Sequence, residues 1–437
     1  MFDRRLGRRD FLRGGLALGT TAAGMAALAA CGMPGTTGGS SGSSGGGNKL
    51  EIYSWWTSPG EVEALDALYK IYKTANTKIE IVNAAISGGT GAGGNAKAAL
   101  KTRLLGNDPP DSFQVHLGRE LIDTHVAANR MEPLDDLFKS EGWDKVFPKQ
   151  LVDIASKDGK FWSVPVNIHR SNVLWFNKKL LADNGLTAPN TFDEFFAMAD
   201  KLKAKGIDTL AIGEAAPGHV SHIFETVLMG VLSPDEYRGL WTGKFAWTDK
   251  KVAGSLDTLK KMLGYANQNF PSVDSGDTAD LVIKGTAAAT INGDWTNGTF
   301  KSKKFADFGY VPTPGSKGRY GVLADSFGLP VKIKDRDATL AWLKVCGSKA
   351  GQDAFNPLKG SIPARNDLDK SLYDPYQQTA ITDFASNELL PSVNHGAAAK
   401  ESWMTDFVNT LNAFSGKRDV AATQAELVKI AKDAGVG

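Results

Sequence analysis

Lys49-Leu-Glu-Ile-Tyr-Ser-Trp-Trp56 alternates apolar and polar residues and stops at Thr57-Ser58-Pro59-Gly60. A two-residue period closed by turn formers predicts a strand that ends in a loop. The period then changes. Over residues 61–74 the apolar positions Val62, Leu65, Leu68, Ile71 and Tyr72 form the stripe of an amphipathic helix. Residues 78–84 predict a second strand, 95–105 a second helix, and 112–116 a third strand after Pro109-Pro110-Asp111. Strand and helix alternating in this way predict an α/β fold, a parallel sheet with helices on both faces.

Outward from this core the pattern continues. Residues 161–168 and 173–176 predict strands with a polar break at His169-Arg170-Ser171-Asn172, which suits a chain crossing between two lobes. Thr191-Phe-Asp-Glu194 is a capping box that opens a helix to about residue 205. Residues 207–213 predict a strand, 234 onward and 249–267 helices, and 287–291 a strand before Asn292-Gly-Asp-Trp295. A strand from Tyr320 precedes Asp325-Ser-Phe-Gly-Leu-Pro330, residues 338–347 predict a helix, and the remainder is mostly helical with loops at 356–360 and 394–396. The glycine-rich run 88–94 matches neither a Gly-x-x-x-x-Gly-Lys-Ser/Thr phosphate loop nor a clean Gly-x-Gly-x-x-Gly. It is read as a mobile loop lining a cleft.

The N-terminus reads as an address. Arg4, Arg5, Arg8, Arg9 and Arg13 precede an apolar, Ala/Gly-rich stretch ending in Leu28-Ala29-Ala30-Cys31. The stretch is shorter than the ~20 apolar residues a spanning helix needs. Residues 1–31 are expected to be a twin-arginine export signal. Cys31 resembles the cysteine of a bacterial lipobox, which takes a lipid and becomes the mature N-terminus. Residues 32–47 contain only Gly, Ser, Thr, Met and Pro. They cannot bury a core, and as a flexible tether reach roughly 20–25 Å. The expected location is the outer face of a cytoplasmic membrane, on a lipid anchor.

Of 50 basic and 48 acidic residues, five arginines and two aspartates lie in residues 1–31, leaving 45 and 46 in the rest. That balance argues against nucleic acid or an anionic surface as a partner. Only Cys346 remains, so no internal disulfide forms, and an exported body must rely on a large core. Its length favours two lobes. The histidines at 116, 125, 169, 219, 222 and 395 show no metal-ligand spacing; His219 and His222 read as capping or surface residues. No metal or cofactor is expected.

Polar and aromatic residues punctuate the strand ends: Trp55-Trp56, Gln114, His116, His169-Arg170, Asp294-Trp295 and Asp325. Ligands of open α/β sheets sit beyond such ends. An indole can cover the C–H face of a sugar ring while carboxylates, amides, Lys and His take its hydroxyl rim. Trp143, Trp162, Trp175, Trp241, Trp247, Trp342 and Trp403 are assigned to the core. Of the adjacent Trp55 and Trp56, strand alternation allows at most one into the core.

These stretches, with Asn107-Asp-Pro-Pro-Asp-Ser-Phe-Gln-Val-His116, Trp162-Ser-Val-Pro-Val-Asn-Ile-His-Arg-Ser-Asn172, Asn356-Pro-Leu-Lys-Gly-Ser361 and His395-Gly396, resemble the family 1 solute-binding lipoproteins of ABC sugar importers, glucose- and galactose-binding members most. The resemblance implies a two-lobe periplasmic-binding-protein-like fold of type II. Lobe 1 would comprise 48–168 plus 325–355 and lobe 2 would comprise 172–322 plus 356–437, with crossings near 168–172, 322–325 and 355–359. It implies a hexose held by Trp56, Glu61, Gln114, His116, Trp295, Asp325, Lys359 and His395, with Trp55 close by. In that scheme Trp295 stacks, Asp325 and Glu61 accept, and Lys359 and His395 donate. It also implies hinge closure, delivery to an ABC permease, a monomer, and no catalysis. Two departures bear on the sugar. Ser275-Gly-Asp-Thr-Ala-Asp280 lacks an aromatic the relatives carry, and the loop before Glu61 is one residue longer. A small oligosaccharide is the alternative ligand. A glycoside hydrolase using Glu61 and Asp325 is a further alternative, and a lectin-like adhesin a distant one.

Overall fold

The computed structural model describes residues 48–87 and 93–436. Cys31, the export signal, the tether and positions 88–92 of the glycine run lie outside them. No helix among the described residues is long and apolar enough to cross a membrane.

The first sheet has the order Glu80–Asn83, Lys49–Tyr53, Ser112–His116, Asp325–Gly328, Ser163–Pro165. Its three N-terminal strands are parallel, joined by the helices Glu61–Ala75 and Gly94–Leu105 as the periodicity requires. The sheet is nevertheless mixed, not wholly parallel. Asp325–Gly328 runs antiparallel to both of its neighbours, pairing Asp325 with His116 and Phe327 with Gln114. It enters directly from the strand Arg319–Leu323, with no crossover helix to impose parallel pairing.

The second sheet has the order Phe308–Pro312, Val173–Asn177, Ala287–Asn292, Asp208–Leu210, with Val173–Asn177 antiparallel to both neighbours. A third, smaller sheet lies between them: Glu388–Pro391, Arg319–Leu323, His169–Arg170. The polar break at 169–170 is therefore itself strand, pairing antiparallel with Leu323 and Val322. Ile168 bridges Ile362. Residues 168–170, 322–325 and 362 thus run side by side, beside the cleft described below.

Residues 356–359 are helix rather than the expected loop, the end of Lys349–Lys359. Ser348 caps this helix and Gly360 ends it in the left-handed region. Pro357 lies inside this helix, where it can donate no N–H to the carbonyl four residues back, and the helix ends three residues later at Gly360. The helix packs on Glu61–Ala75.

Two hydrophobic clusters fill the body. One joins Leu50, Ile52, Phe113, Val115 and Phe327 to Leu65, Leu68 and Trp342, and continues to Trp175, Phe300 and Tyr376. The other joins Leu174, Leu210, Ile223 and Phe224 to Leu256, Leu259, Phe407 and Leu411. The tryptophans assigned to the core are buried in these clusters, except Trp162, which is partly buried.

Candidate ligand-binding site

The first strand ends at Tyr53, so Ser54-Trp55-Trp56-Thr57 is no longer pleated. Strand alternation does not govern it, and both indoles are buried and line one cavity. Trp56 rests on Phe327 and Phe355, with ring centroids at 5.6 and 4.9 Å. Trp55 faces His116 at 5.0 Å, and its backbone N–H donates to Gln114 Oε1 at 3.1 Å. Glu61 opens the first helix and Lys359 closes the helix Lys349–Lys359. The packing of these two helices brings Lys359 Nζ to 2.7 Å from Glu61 Oε1. The ammonium stands 5.7 Å from both the Trp56 and the Trp295 ring.

Asp325 is the anchor of the polar wall. Gln114 Nε2 donates to it at 2.8 Å and Asn167 Nδ2 at 2.9 Å; His169 Nε2 lies 3.2 Å away and His116 Nε2 3.7 Å. Burial alone would raise its carboxyl. The hydrogen bond and charge of His169, with the charges of His116 and Lys359, outweigh burial and hold it well below the usual carboxylate range. His169 bridges Asp325 to Asp294, whose Oδ1 makes a short contact with Nδ1. Burial opposes charge on His169, but Asp294 overcomes it and the pKa is raised. Behind His116, the buried Lys97 pairs with Glu120 at 2.6 Å, and Glu120 reaches His116 Nδ1 at 2.9 Å.

Trp295 starts the helix Trp295–Ser302, directly after Asn292-Gly-Asp. A Cβ on Gly293 would lie 2.1 Å from the Trp295 ring, so only glycine lets the indole fold over the preceding backbone. The ring is edge-on to His169 at 5.4 Å and to His222 at 6.0 Å, and tilted to His395 at 5.2 Å.

Together these residues enclose a cavity of about 310 Å³, at the small end of the ~300–1,000 Å³ range of small-molecule sites. Trp55, Trp56, Glu61, His116, Trp295, Asp325 and Lys359 line it, with His169 and the segments 57–59 and 274–277. Where an aromatic was missed in the sequence, Asp274, Ser275 and Gly276 form the wall. Gln114 and His395 stand behind the lining. Gln114 has both ends of its amide engaged, by Trp55 and Asp325. His395 is fully buried, its ring among those of His116, His222 and Trp295, and its Nε2 has no hydrogen-bond partner among the described residues.

His169 stood among the polar strand-end residues but not in the hexose-binding set, and neither Asn167 nor His222 was placed in the site. The polar break at 169–172 was the one available signal, since a strand there has no apolar reason to be interrupted by His and Arg. His219 and His222 are neither capping nor surface residues. Glu214 caps their helix by accepting from Gly218 and Val220 N–H, and both imidazoles are buried, each with Nε2 against a main-chain carbonyl, Ile291 and Ser171. Burial pulls them down to about 4 and about 3.

The rims of the cleft touch. Glu120 N–H donates to Gly396 O at 2.9 Å, and Ser302 Oγ donates to Glu63 Oε1 at 2.7 Å. Gly118, at φ +107°, meets Ala397 so closely that a Cβ would lie 2.6 Å from its carbonyl oxygen.

Comparison with known proteins agrees with this architecture. The family of bacterial extracellular solute-binding proteins matches residues 50–353. An uncharacterized ABC transporter extracellular-binding protein of Pyrococcus horikoshii is 35% identical, over 88% of this chain and 87% of that one. A probable sugar-binding periplasmic protein of Rhizobium meliloti is 31% identical, over 87% and 92%. Two solved structures share the fold at a TM-score of 0.78: the bacterial solute receptor AcbH, described with an exclusive preference for β-D-galactopyranose, at 18% identity, and a chitin oligosaccharide binding protein, at 19%. Each covers 89% of this chain, and the chain spans 99% of each. The two-domain α/β architecture, the enclosed cleft and the family match lead to one assignment: the chain belongs to the bacterial extracellular solute-binding proteins.

Proposed function

We propose that this chain binds one hexose, glucose or galactose, in the cleft between its lobes and hands it to the permease subunits of an ABC importer. A lipid on Cys31 would hold it, as a monomer, at the outer face of the membrane. The observation that carries the reading is the pairing of Trp56 and Trp295 about Lys359 with the fixed Asp325 carboxylate, in one small cavity. Each cation there already has a carboxylate partner: Lys359 with Glu61, His169 with Asp294 and Asp325, Lys97 with Glu120. Among the described residues no cation of the lining is left over for an anionic ligand, Lys303 being paired with Asp280, whereas a neutral polyol can use these groups as strong donors and acceptors.

The magnitudes agree. A stacked ring contributes about 0.5–1.5 kcal/mol beyond its buried area. A hydrogen bond to a charged group contributes about 1.5–3 kcal/mol. One stack and several such bonds offset the cost of association and reach the about −8 kcal/mol of micromolar affinity. The cleft would close on the sugar because only the closed form contacts it from both sides.

A small oligosaccharide is the second reading. The wall at 274–277 offers small and acidic side chains where bulk would otherwise end the pocket, and solved structures of equal similarity include one binder of a monosaccharide and one of oligosaccharides. A glycoside hydrolase is disfavoured. Its general acid needs a protonated carboxyl beside an ionised one; Asp325 is held down, and Glu61, the other candidate, is engaged as the ion-pair partner of Lys359.

Calorimetry with glucose, galactose and maltose tests the choice. Micromolar binding of a monosaccharide is expected. Micromolar maltose binding with no heat from either hexose would transfer the assignment to oligosaccharides.

A further inference from the structure

Behind the cleft, away from the cavity lining, lies a polar chain that the sugar reading does not use. Glu225, in the middle of the helix His219–Val231, is fully buried. Its Oε2 accepts from Asn394 N–H at 2.8 Å and from Ser392 Oγ at 3.1 Å. Ser392 Oγ also lies 2.8 Å from His395 Nδ1 and accepts from the backbone N–H of His395. The chain Glu225–Ser392–His395 ends at His395 Nε2, which is buried and has no partner among the described residues. Bare buried nitrogens are costly. This one belongs to a ring packed against Trp295 and His116, two residues of the cavity wall.

Ser392 has one hydroxyl hydrogen and two candidate acceptors. When Glu225 is ionised, the charge-assisted bond wins and the hydrogen points to Oε2. Ser392 Oγ then faces His395 with a lone pair, so Nδ1 must carry the imidazole proton and Nε2 is a bare acceptor. When Glu225 is neutral, its oxygens are weaker acceptors than an imidazole nitrogen. The hydroxyl turns to Nδ1, and the imidazole proton moves to Nε2, which becomes a donor.

We propose that Glu225 is a positioning residue that, through Ser392, sets whether His395 Nε2 accepts from or donates to the bound ligand. His395 thus accepts in one state of Glu225 and donates, as the family resemblance implies, only in the other. The ligand half of this statement rests on the sugar reading above; the coupling of Glu225 to His395 does not.

Two facts make the coupling accessible. Burial pushes Glu225 up to about 7, although the Asn394 and Val393 amides and the Ser392 and Tyr237 hydroxyls oppose it. Burial, together with the charges of His222, His116, Lys97 and His169, holds His395 well below the ordinary histidine value, so it stays a neutral tautomer rather than an imidazolium. The titratable groups facing this chain from its packed neighbours are these, with Tyr237 on the adjoining helix Pro234–Thr242. His222 is itself pulled down to about 3, so it does not titrate with Glu225.

The test is nitrogen NMR of the imidazoles in the ¹⁵N-labelled chain, with the His395 signals assigned by their loss in His395→Gln. Wild type is expected to show Nδ1 protonated and Nε2 bare at pH 8.5, and the reverse at pH 5.5. Glu225→Gln should show Nε2 protonated at both values, and Ser392→Ala should lose the dependence on pH. One tautomer throughout in wild type, or a doubly protonated ring at pH 5.5, would overturn the proposal. If Glu225→Gln does not fold, the wild-type pair of spectra decides alone. Glucose titrations of wild type and Glu225→Gln at pH 8.5 test the ligand half. At least a fivefold difference in Kd is expected, and equal affinity beside a switched tautomer would overturn that half. No glucose heat in either protein, with the switch present, contradicts the sugar assignment and leaves the coupling standing.

Discussion

At the scale of single residues, the Lys359–Glu61 pair links two helices and lies between two indoles. Removing only the lysine leaves a mostly buried carboxylate without its counter-ion, which costs more than the pair contributes. Lys359→Met is therefore expected to lower the melting temperature and to weaken hexose binding at least tenfold. Adding Glu61→Gln should restore the melting temperature and leave binding weak. Recovery of both would remove Lys359 from ligand contact. Trp295 behaves differently, because its ring faces a cavity. Trp295→Ala should also weaken binding at least tenfold, with the far-UV spectrum and cooperative unfolding retained. Trp55, Trp56, His116, Trp295 and Asp325 of this wall were legible at strand ends, where indoles and ionic residues have no solvent or core reason to be; Glu61 and Lys359, at helix ends, came only from the family resemblance. His169 was noted at a strand end but not assigned to the ligand, and His222 was read as a capping or surface residue. Whether a histidine faces a cleft, a carbonyl or water depends on packing partners more than a hundred residues away, Asp294 and Asp325 for His169.

At the scale of elements, the sequence pattern located the first three strands and two helices to within two residues at every end but one, the first strand stopping at Tyr53, three residues before Trp56. Direction was harder. The antiparallel entry of Asp325–Gly328 depends on where the chain comes from, which no local pattern records. The helical 356–359 segment was hidden by Pro357, whose ordinary meaning is a breaker, although here the helix runs two residues past it. The approach of Gly118 to Ala397 carries its own prediction. Gly118→Val adds atoms where a Cβ already collides and imposes φ > 0 on a β-branched residue. The variant should fold, remain open with saturating sugar in solution scattering, and bind at least tenfold more weakly. A compact, tight-binding variant would show that this contact does not accompany closure.

At the scale of the whole molecule, buried histidines govern acid stability. His125, His219, His222 and His395 are all held below the ordinary value by burial, to about 4, 4 and 3 for the first three. Unfolded, each takes a proton near pH ~6.5. The unfolded chain therefore binds more protons, and stability falls as pH drops from about 6.5 toward 4. Glu214 and Glu225, raised to about 6 and 7, bind protons first in the folded state and oppose the fall. His169 is raised, so its contribution is whole below its unfolded value and fades as pH rises through the folded one. Asp325, held down, contributes above its unfolded value of ~3.9 and loses that only in strong acid. The urea midpoint should therefore drop between pH 7 and 5, with four histidines outweighing two glutamates; a flat profile would contradict the neutral burial of these rings. In cells, Cys31→Ser should release the protein from the membrane fraction without loss of sugar binding.

The central claim is that flat rings and ionic side chains of both lobes converge on one pyranose. A crystal structure grown with a saturating hexose measures it directly. One pyranose is predicted in the cavity, its C–H face on Trp295 and its hydroxyls on Asp325 and Lys359. An empty cavity, or sugar seated elsewhere, would contradict the account.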